Sequence, residues 1–70
     1  MNLPQLFGKN VRLRRNELGL SQERLAELCQ FHRTYIGLVE RGGRNISLNH
    51  AYRLAKALDT EVSKLTGEIP

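Results

Sequence analysis

Seventy residues make one domain, near the lower limit at which a core holds a fold without disulfides or metal, and 40% hydrophobic content with no Trp sets that core as aliphatic. A single cysteine excludes a disulfide framework and fits a reducing cytoplasm, while the absence of a signal peptide or of any bilayer-length apolar run excludes a membrane partner. Eleven Lys and Arg against seven Asp and Glu leave a net charge of +4, which favours polyanions without by itself naming nucleic acid.

In chain order, Pro4 suits an early helical position, where its missing N–H is not needed. The pattern Leu3, Phe7, Val11, Arg14 or Arg15, Leu18 then runs to a stop at Gly19, which makes an amphipathic helix of about four turns. Lys9, Arg12, Arg14 and Arg15 lie within reach of phosphates, and Lys9 and Arg12 are read as a solvated face. Met1 is read as a natural start.

The stretch Ser21 to Gly42 reads as two short helices and a tight turn. Ser21 is the N-cap of the first, Gln22 and Glu23 fill its first turn, and Leu25, Ala26, Leu28 and Cys29 share one side. Gln30, Phe31 and His32 connect it to the second helix, with His32 at the N-cap. There Ile36, Val39 and Glu40 share a core side, Thr34, Gly37, Leu38 and Arg41 fall opposite, and Arg33 stands beside the helix start. So short a connection holds two helices at a steep angle, and the free face of the second becomes a candidate reading head for the DNA major groove.

Beyond Gly42, the segment Gly43, Arg44, Asn45 is a loop. Ser47 caps a helix with an apolar face of Leu48, Ala51, Leu54, Ala55 and Leu58. A last short helix carries Val62 and Leu65 and ends at Gly67, leaving Glu68, Ile69 and Pro70 as a frayed end. With no strand, repeat or linker, the fold class is all-α, five helices in one domain over residues 1–70, with a helix-turn-helix near 21–41 and C-terminal helices near 48–66.

The ordered set Arg15, Gly19, Ser21-Gln22, Leu25-Ala26, Ile36, Glu40-Arg41-Gly42, Ser47-Leu48 and Leu54-Ala55-Lys56-Ala57-Leu58 resembles the Cro/C1-type, or XRE, helix-turn-helix family over nearly the whole chain. Arg33-Thr34-Tyr35-Ile36, followed by Glu40-Arg41 and Arg44-Asn45, is similar to the controller proteins of restriction-modification systems, small stand-alone dimeric regulators. The resemblance implies a lambda-repressor-like domain that binds double-stranded DNA as a homodimer on a near-palindromic operator and regulates transcription in the cytoplasm. An antitoxin or interaction module, a phage or plasmid repressor, and a piece of a longer repressor are the alternatives. A contact with RNA polymerase is left open.

Residue by residue, the resemblance implies that Gln22 meets a DNA phosphate and that Arg33 donates twice to guanine O6 and N7. Thr34 takes a base or phosphate, Tyr35 a phosphate through its hydroxyl, and Leu38 a thymine methyl. Gly37 allows close approach, Arg41 lies on the same face, and Arg44 and Asn45 clamp the backbone or reach a base edge. The plain alternatives are a surface Gln22, a solvated Arg33, a Tyr35 that only packs, an incidentally exposed Leu38, and ordinary turn residues at 44 and 45. Arg15 and Glu40 are implied to pair, joining the first helix to the reading helix, since a carboxylate on the core side needs a partner. Dimerisation is assigned to Leu58, Val62, Leu65 and Ile69, the alternative being that they close the monomer's own core.

Two departures stand out. The family usually has Gly at the start of the turn, in a left-handed conformation that costs Gln30 about 1 to 2 kcal/mol, and Gly37 sits inside a helix. Cys29, His32 and His50 lack a fourth ligand at a recognisable spacing, so no metal or cofactor is expected. Cys29 is read as a small buried hydrophobe and His50 as exposed. No catalytic constellation is present, and the chain is read as a non-enzyme.

Overall fold

Asn2 opens the first helix: its side-chain oxygen accepts from the Gln5 backbone N–H at 2.9 Å, and the Gln5 side chain accepts in return from the Asn2 N–H at 3.2 Å. The computed structural model describes residues 1–67. Over them the chain forms α1 (Leu3–Glu17), α2 (Gln22–Cys29), α3 (Arg33–Glu40), α4 (Leu48–Ala57) and α5 (Val62–Leu65). Ser21 and Ser47 cap α2 and α4 by accepting from the backbone N–H groups of Arg24 and His50 at 3.0 and 3.1 Å.

Val11, Leu25, Ile36, Val39, Leu54 and Leu58 are the largest fully buried side chains, drawn from every helix from α1 to α4 and from the residue that ends α4. Cys29 joins them, and burial pushes its thiol pKa up to about 11 against the opposing charge of Arg53. Leu58 and Leu65, assigned from sequence to a dimer surface, instead close this monomer core. Val62 is half-buried against it, and Ile69, like the frayed end at 68–70, lies outside the described residues.

Four residues that obey the helical period stand in solvent: Leu48 at 82% exposure, Leu3 at 59%, and Leu18 and Leu28 less so. Leu3 and Leu48 begin their helices and Leu18 follows the end of one, so no neighbouring helix covers them. In α2 the covered side is Leu25, Ala26 and Cys29, which leaves Leu28 on the outer edge.

One close helix contact runs through a residue without a side chain. Gly8 is buried where α1 crosses the end of α3, and a methyl group there would lie 2.1 Å from the Val39 carbonyl oxygen and 3.0 Å from that of Glu40. Only glycine permits this approach. The chain leaving α3 turns through Gly42 at φ +71, where added bulk would meet Gln5 at 2.7 Å.

The turn between α2 and α3 uses Gln30 in the left-handed region at φ 61, ψ 40. The Phe31 N–H donates to Ala26 O at 2.9 Å and the Gln30 N–H to Glu27 O at 3.3 Å, the paired bonds of a Schellman ending. Arg53 on α4 then donates to the carbonyls of Cys29 and Gln30, with its guanidinium 4.1 Å from the centre of the Phe31 ring. A cation at a helix C-terminus is favourable, so the strained turn is held from outside.

Other helix ends are closed by α1. Asn10 donates to the carbonyls of Leu65 and Gly67, each at 2.9 Å. Arg14, placed within reach of phosphates by sequence alone, donates to Leu58 O at 2.9 Å and Asp59 O at 3.2 Å. Among the described residues, no helix is long and apolar enough to cross a membrane.

Because the Gly8 contact is with backbone rather than a movable side chain, Gly8→Ala should force α1 away from α3. A loss of about 1 to 3 kcal/mol is expected in urea unfolding, and an unchanged midpoint would contradict the contact.

Candidate nucleic-acid interface

The orientation of α3 is set at its last residue. Arg15 donates to both oxygens of Glu40, through Nε to Oε2 at 2.6 Å and through Nη2 to Oε1 at 3.0 Å, and its Nη1 donates to Leu20 O at 2.8 Å. The two side chains are only 12% and 4% exposed. Gln22 completes the group by donating from Nε2 to Glu40 Oε1 at 3.1 Å. The carboxylate only accepts, which fixes which end of the Gln22 amide faces it. Gln22, expected on a DNA phosphate, is thus half-buried and tied to the ion pair as well.

At the other end of α3, His32 is the N-cap and its Nδ1 accepts from the Thr34 N–H at 3.1 Å. Arg33 and Thr34 are exposed beside it. The nearest carboxylate to Arg33 is Glu23, Nη1 to Oε1 at 3.6 Å, with both side chains largely in solvent. Such a pair is worth about 0 to 1 kcal/mol and exchanges readily.

Gln22, Arg33, Thr34, Gly37 and Arg41 line one open groove. Gly37, placed on the free face by periodicity, is buried because Arg41 folds over it: a methyl group at position 37 would lie 3.3 Å from Arg41 Nη1. Leu38, on the same presumed face, is only half-exposed, with the following loop at Gly43 close to its side chain. Arg44 and Asn45 are exposed in that loop.

Tyr35 lies with its ring against the domain. Its hydroxyl lies 2.9 Å from His50 Nδ1, and its ring packs against Phe31 at 4.9 Å and His50 at 5.4 Å between centroids. Burial pushes the phenol pKa upward, partly offset by the charges of Arg44 and Arg53. His50, expected exposed, is a half-buried member of this cluster, 4.7 Å from Phe31. His50 as a partner of the reading helix and Arg53 as a partner of the turn before it were not legible from the sequence. They stand one turn apart on α4, and that spacing acquires meaning only when α4 docks on the α2–α3 turn. Among the described residues, no group of three or more His, Cys, Asp or Glu is placed to hold a metal ion.

The helix-turn-helix family designated HTH_3 matches residues 11–65. The chain belongs to this family. It is 52% identical over 65 residues to the control protein C.SmaI of Serratia marcescens, covering 93% of this chain and 77% of that one. Against the control protein C.BamHI of Bacillus amyloliquefaciens the identity is 45% over 65 residues, covering 91% and 80%. The crystal structure of the restriction-modification controller protein C.AhdI from Aeromonas hydrophila superposes with a TM-score of 0.85 at 48% identity, covering 89% of this chain and 94% of that one. The chain is therefore a DNA-binding transcription regulator of the Cro/C1 helix-turn-helix type, all-α, with restriction-modification controllers among its relatives.

In this helix-turn-helix the reading helix hangs on a buried charge pair. Removing one partner strands the other, so Glu40→Ala should cost about 3 to 5 kcal/mol in chemical unfolding. An unchanged melting temperature would show that the network does not hold α3.

Proposed function

We propose that this chain is a homodimeric controller of a restriction-modification operon, acting in the cytoplasm without catalysis of its own, and that it reads a near-palindromic operator with the first turns of α3. The observation that carries the reading is the groove that brings Gln22, Arg33, Thr34 and Arg41 to one surface in a chain half identical to a named control protein. Arg33 is the base reader: its exposed pair with Glu23 releases the guanidinium to guanine O6 and N7. Gln22, Thr34, Tyr35 and Arg41 address phosphates or neighbouring bases, Arg44 and Asn45 clamp the backbone, and Leu38 offers its apolar edge to a thymine methyl. Gln22 reaches its phosphate from a position that Glu40 already fixes.

The burial of Leu58 and Leu65 moves the dimer surface. Leu3, Ile46, Leu48 and Val62 line one groove between the starts of α1 and α4 and the start of α5, and Leu48 stands over it almost wholly exposed. A second copy covers this groove in the proposed dimer, retaining Val62 from the sequence assignment. Two-fold pairing places the reading helices on half-sites about 34 to 36 Å apart.

Selection of bound duplexes from a random pool at fixed salt tests base readout. Wild type should enrich an inverted repeat, and Arg33→Ala should relax one guanine by about 1 to 3 kcal/mol of discrimination. Binding that depends on salt but not on sequence would overturn the reading. Sedimentation of Leu48→Glu should show a monomer with weakened operator binding, whereas a persisting dimer would exclude the groove.

A further inference from the structure

The hydrogen between Tyr35 and His50 can sit on either partner, and the two arrangements present different faces to DNA. When Nδ1 carries no proton, the phenol O–H donates to it across 2.9 Å, and the hydroxyl has only lone pairs left to offer outward. A phosphate oxygen also only accepts, so the two repel. When the imidazole is doubly protonated, Nδ1–H donates to the phenol oxygen and the Tyr35 O–H is released to donate outward. The phenol keeps its own proton throughout, since burial pushes its pKa above the ordinary value.

We propose that His50 is a proton-linked determinant of operator affinity: its protonation turns the Tyr35 hydroxyl into a phosphate donor and adds a positive charge beside it. This rests on the reading of Tyr35 as a phosphate contact of the DNA-bound regulator.

The surroundings set the sign. From α3 His50 meets Tyr35, and from the α2–α3 turn it meets Phe31. Arg53, on α4 itself, lies over the Phe31 ring, and Arg44 in the preceding loop acts on the Tyr35 hydroxyl. Ser47 accepts from the His50 backbone N–H. The described ion pairs place no carboxylate on His50. A DNA phosphate at the released Tyr35 O–H favours the protonated imidazole, through the added donor and the added positive charge. The complex therefore binds more protons than its separated parts, affinity rises as pH falls, and by reciprocity DNA binding takes up a proton.

A proton on His32, the other histidine of the chain, has a different consequence. Its Nδ1 accepts from the Thr34 N–H only while unprotonated. Acid therefore removes a cap there and builds no phosphate donor, and His32→Asn, which keeps a good N-cap, serves as the control.

The test is the dissociation constant for the selected duplex at fixed ionic strength, at about pH 6 and about pH 8. Wild type should bind on the order of five- to tenfold tighter at the lower pH, with proton uptake seen by calorimetry in buffers of different ionisation enthalpy. His32→Asn should keep this dependence and His50→Gln should lose it. Tyr35→Phe should weaken binding severalfold more at the lower pH than at the higher. A His50→Gln protein with wild-type pH dependence, or a Tyr35→Phe protein weakened equally at both, would overturn the proposal.

If wild type prefers no duplex at all, the DNA reading itself has failed. The pair is then judged by the imidazole nitrogen shifts of the free protein: Nδ1 of His50 bare at high pH and protonated at low pH supports the linkage, and Nδ1 protonated at both ends refutes it.

Discussion

A single buried carboxylate joins three helices of this regulator. Glu40 sits at the end of the reading helix, where both its oxygens are taken by Arg15 of α1 and one is shared with Gln22 of α2. Desolvating these charges offsets most of their attraction, so the network contributes little net stability and much orientation. Its directionality is what matters. A planar guanidinium gripping a carboxylate at two points tolerates little rotation, and the Gly8 contact removes the remaining slack by seating α1 on the α3 backbone. The angle at which α3 presents Arg33 is decided at the far end of the helix, chiefly by Arg15, Glu40 and Gly8, none of which lines the groove.

The turn is the second constraint, and it is solved unusually. Gln30 takes a backbone conformation that glycine adopts without strain, and the bonds from Arg53 to the carbonyls of Cys29 and Gln30 compensate. Arg53 also stacks on Phe31, which in turn touches Tyr35 and His50. The support of the turn and the chemistry of the proposed phosphate contact therefore share one cluster.

Much of this was legible from the chain. The helical period and the serine caps locate α1 to α4, because both are local properties of a few consecutive residues. The pairing of Arg15 with Glu40 came from resemblance, while the groove residues came from period and resemblance together, and Gln22, Arg33, Thr34, Gly37 and Arg41 of that set converge on one surface. What escaped depends on the distance between elements. Period marks a stripe without saying how far a neighbour covers it, so Leu3, Leu28 and Leu48 looked like core and are not. Gly8 carries no local signal, since its meaning is the absence of a Cβ against another helix. Arg14, Asn10, Arg53 and His50 all act on residues at least 15 positions away, and no spacing rule reaches so far.

The bonds from Asn10 to the carbonyls of Leu65 and Gly67 span 55 and 57 positions of the chain. Together with those of Arg14, they make α1 the clasp for the ends of α4 and α5. A helix-turn-helix cut out at its own boundaries would lack both the clasp and the carbonyls it closes. During synthesis the same linkage defers completion of the fold until Gly67 has left the ribosome, since the loops closed by Asn10 span 55 and 57 positions. A nascent chain stalled after α3 would carry every groove residue up to Arg41 and the Arg15–Glu40 pair, yet lack Arg53, which holds the turn, and the Leu54, Leu58 and Leu65 side chains that complete the core.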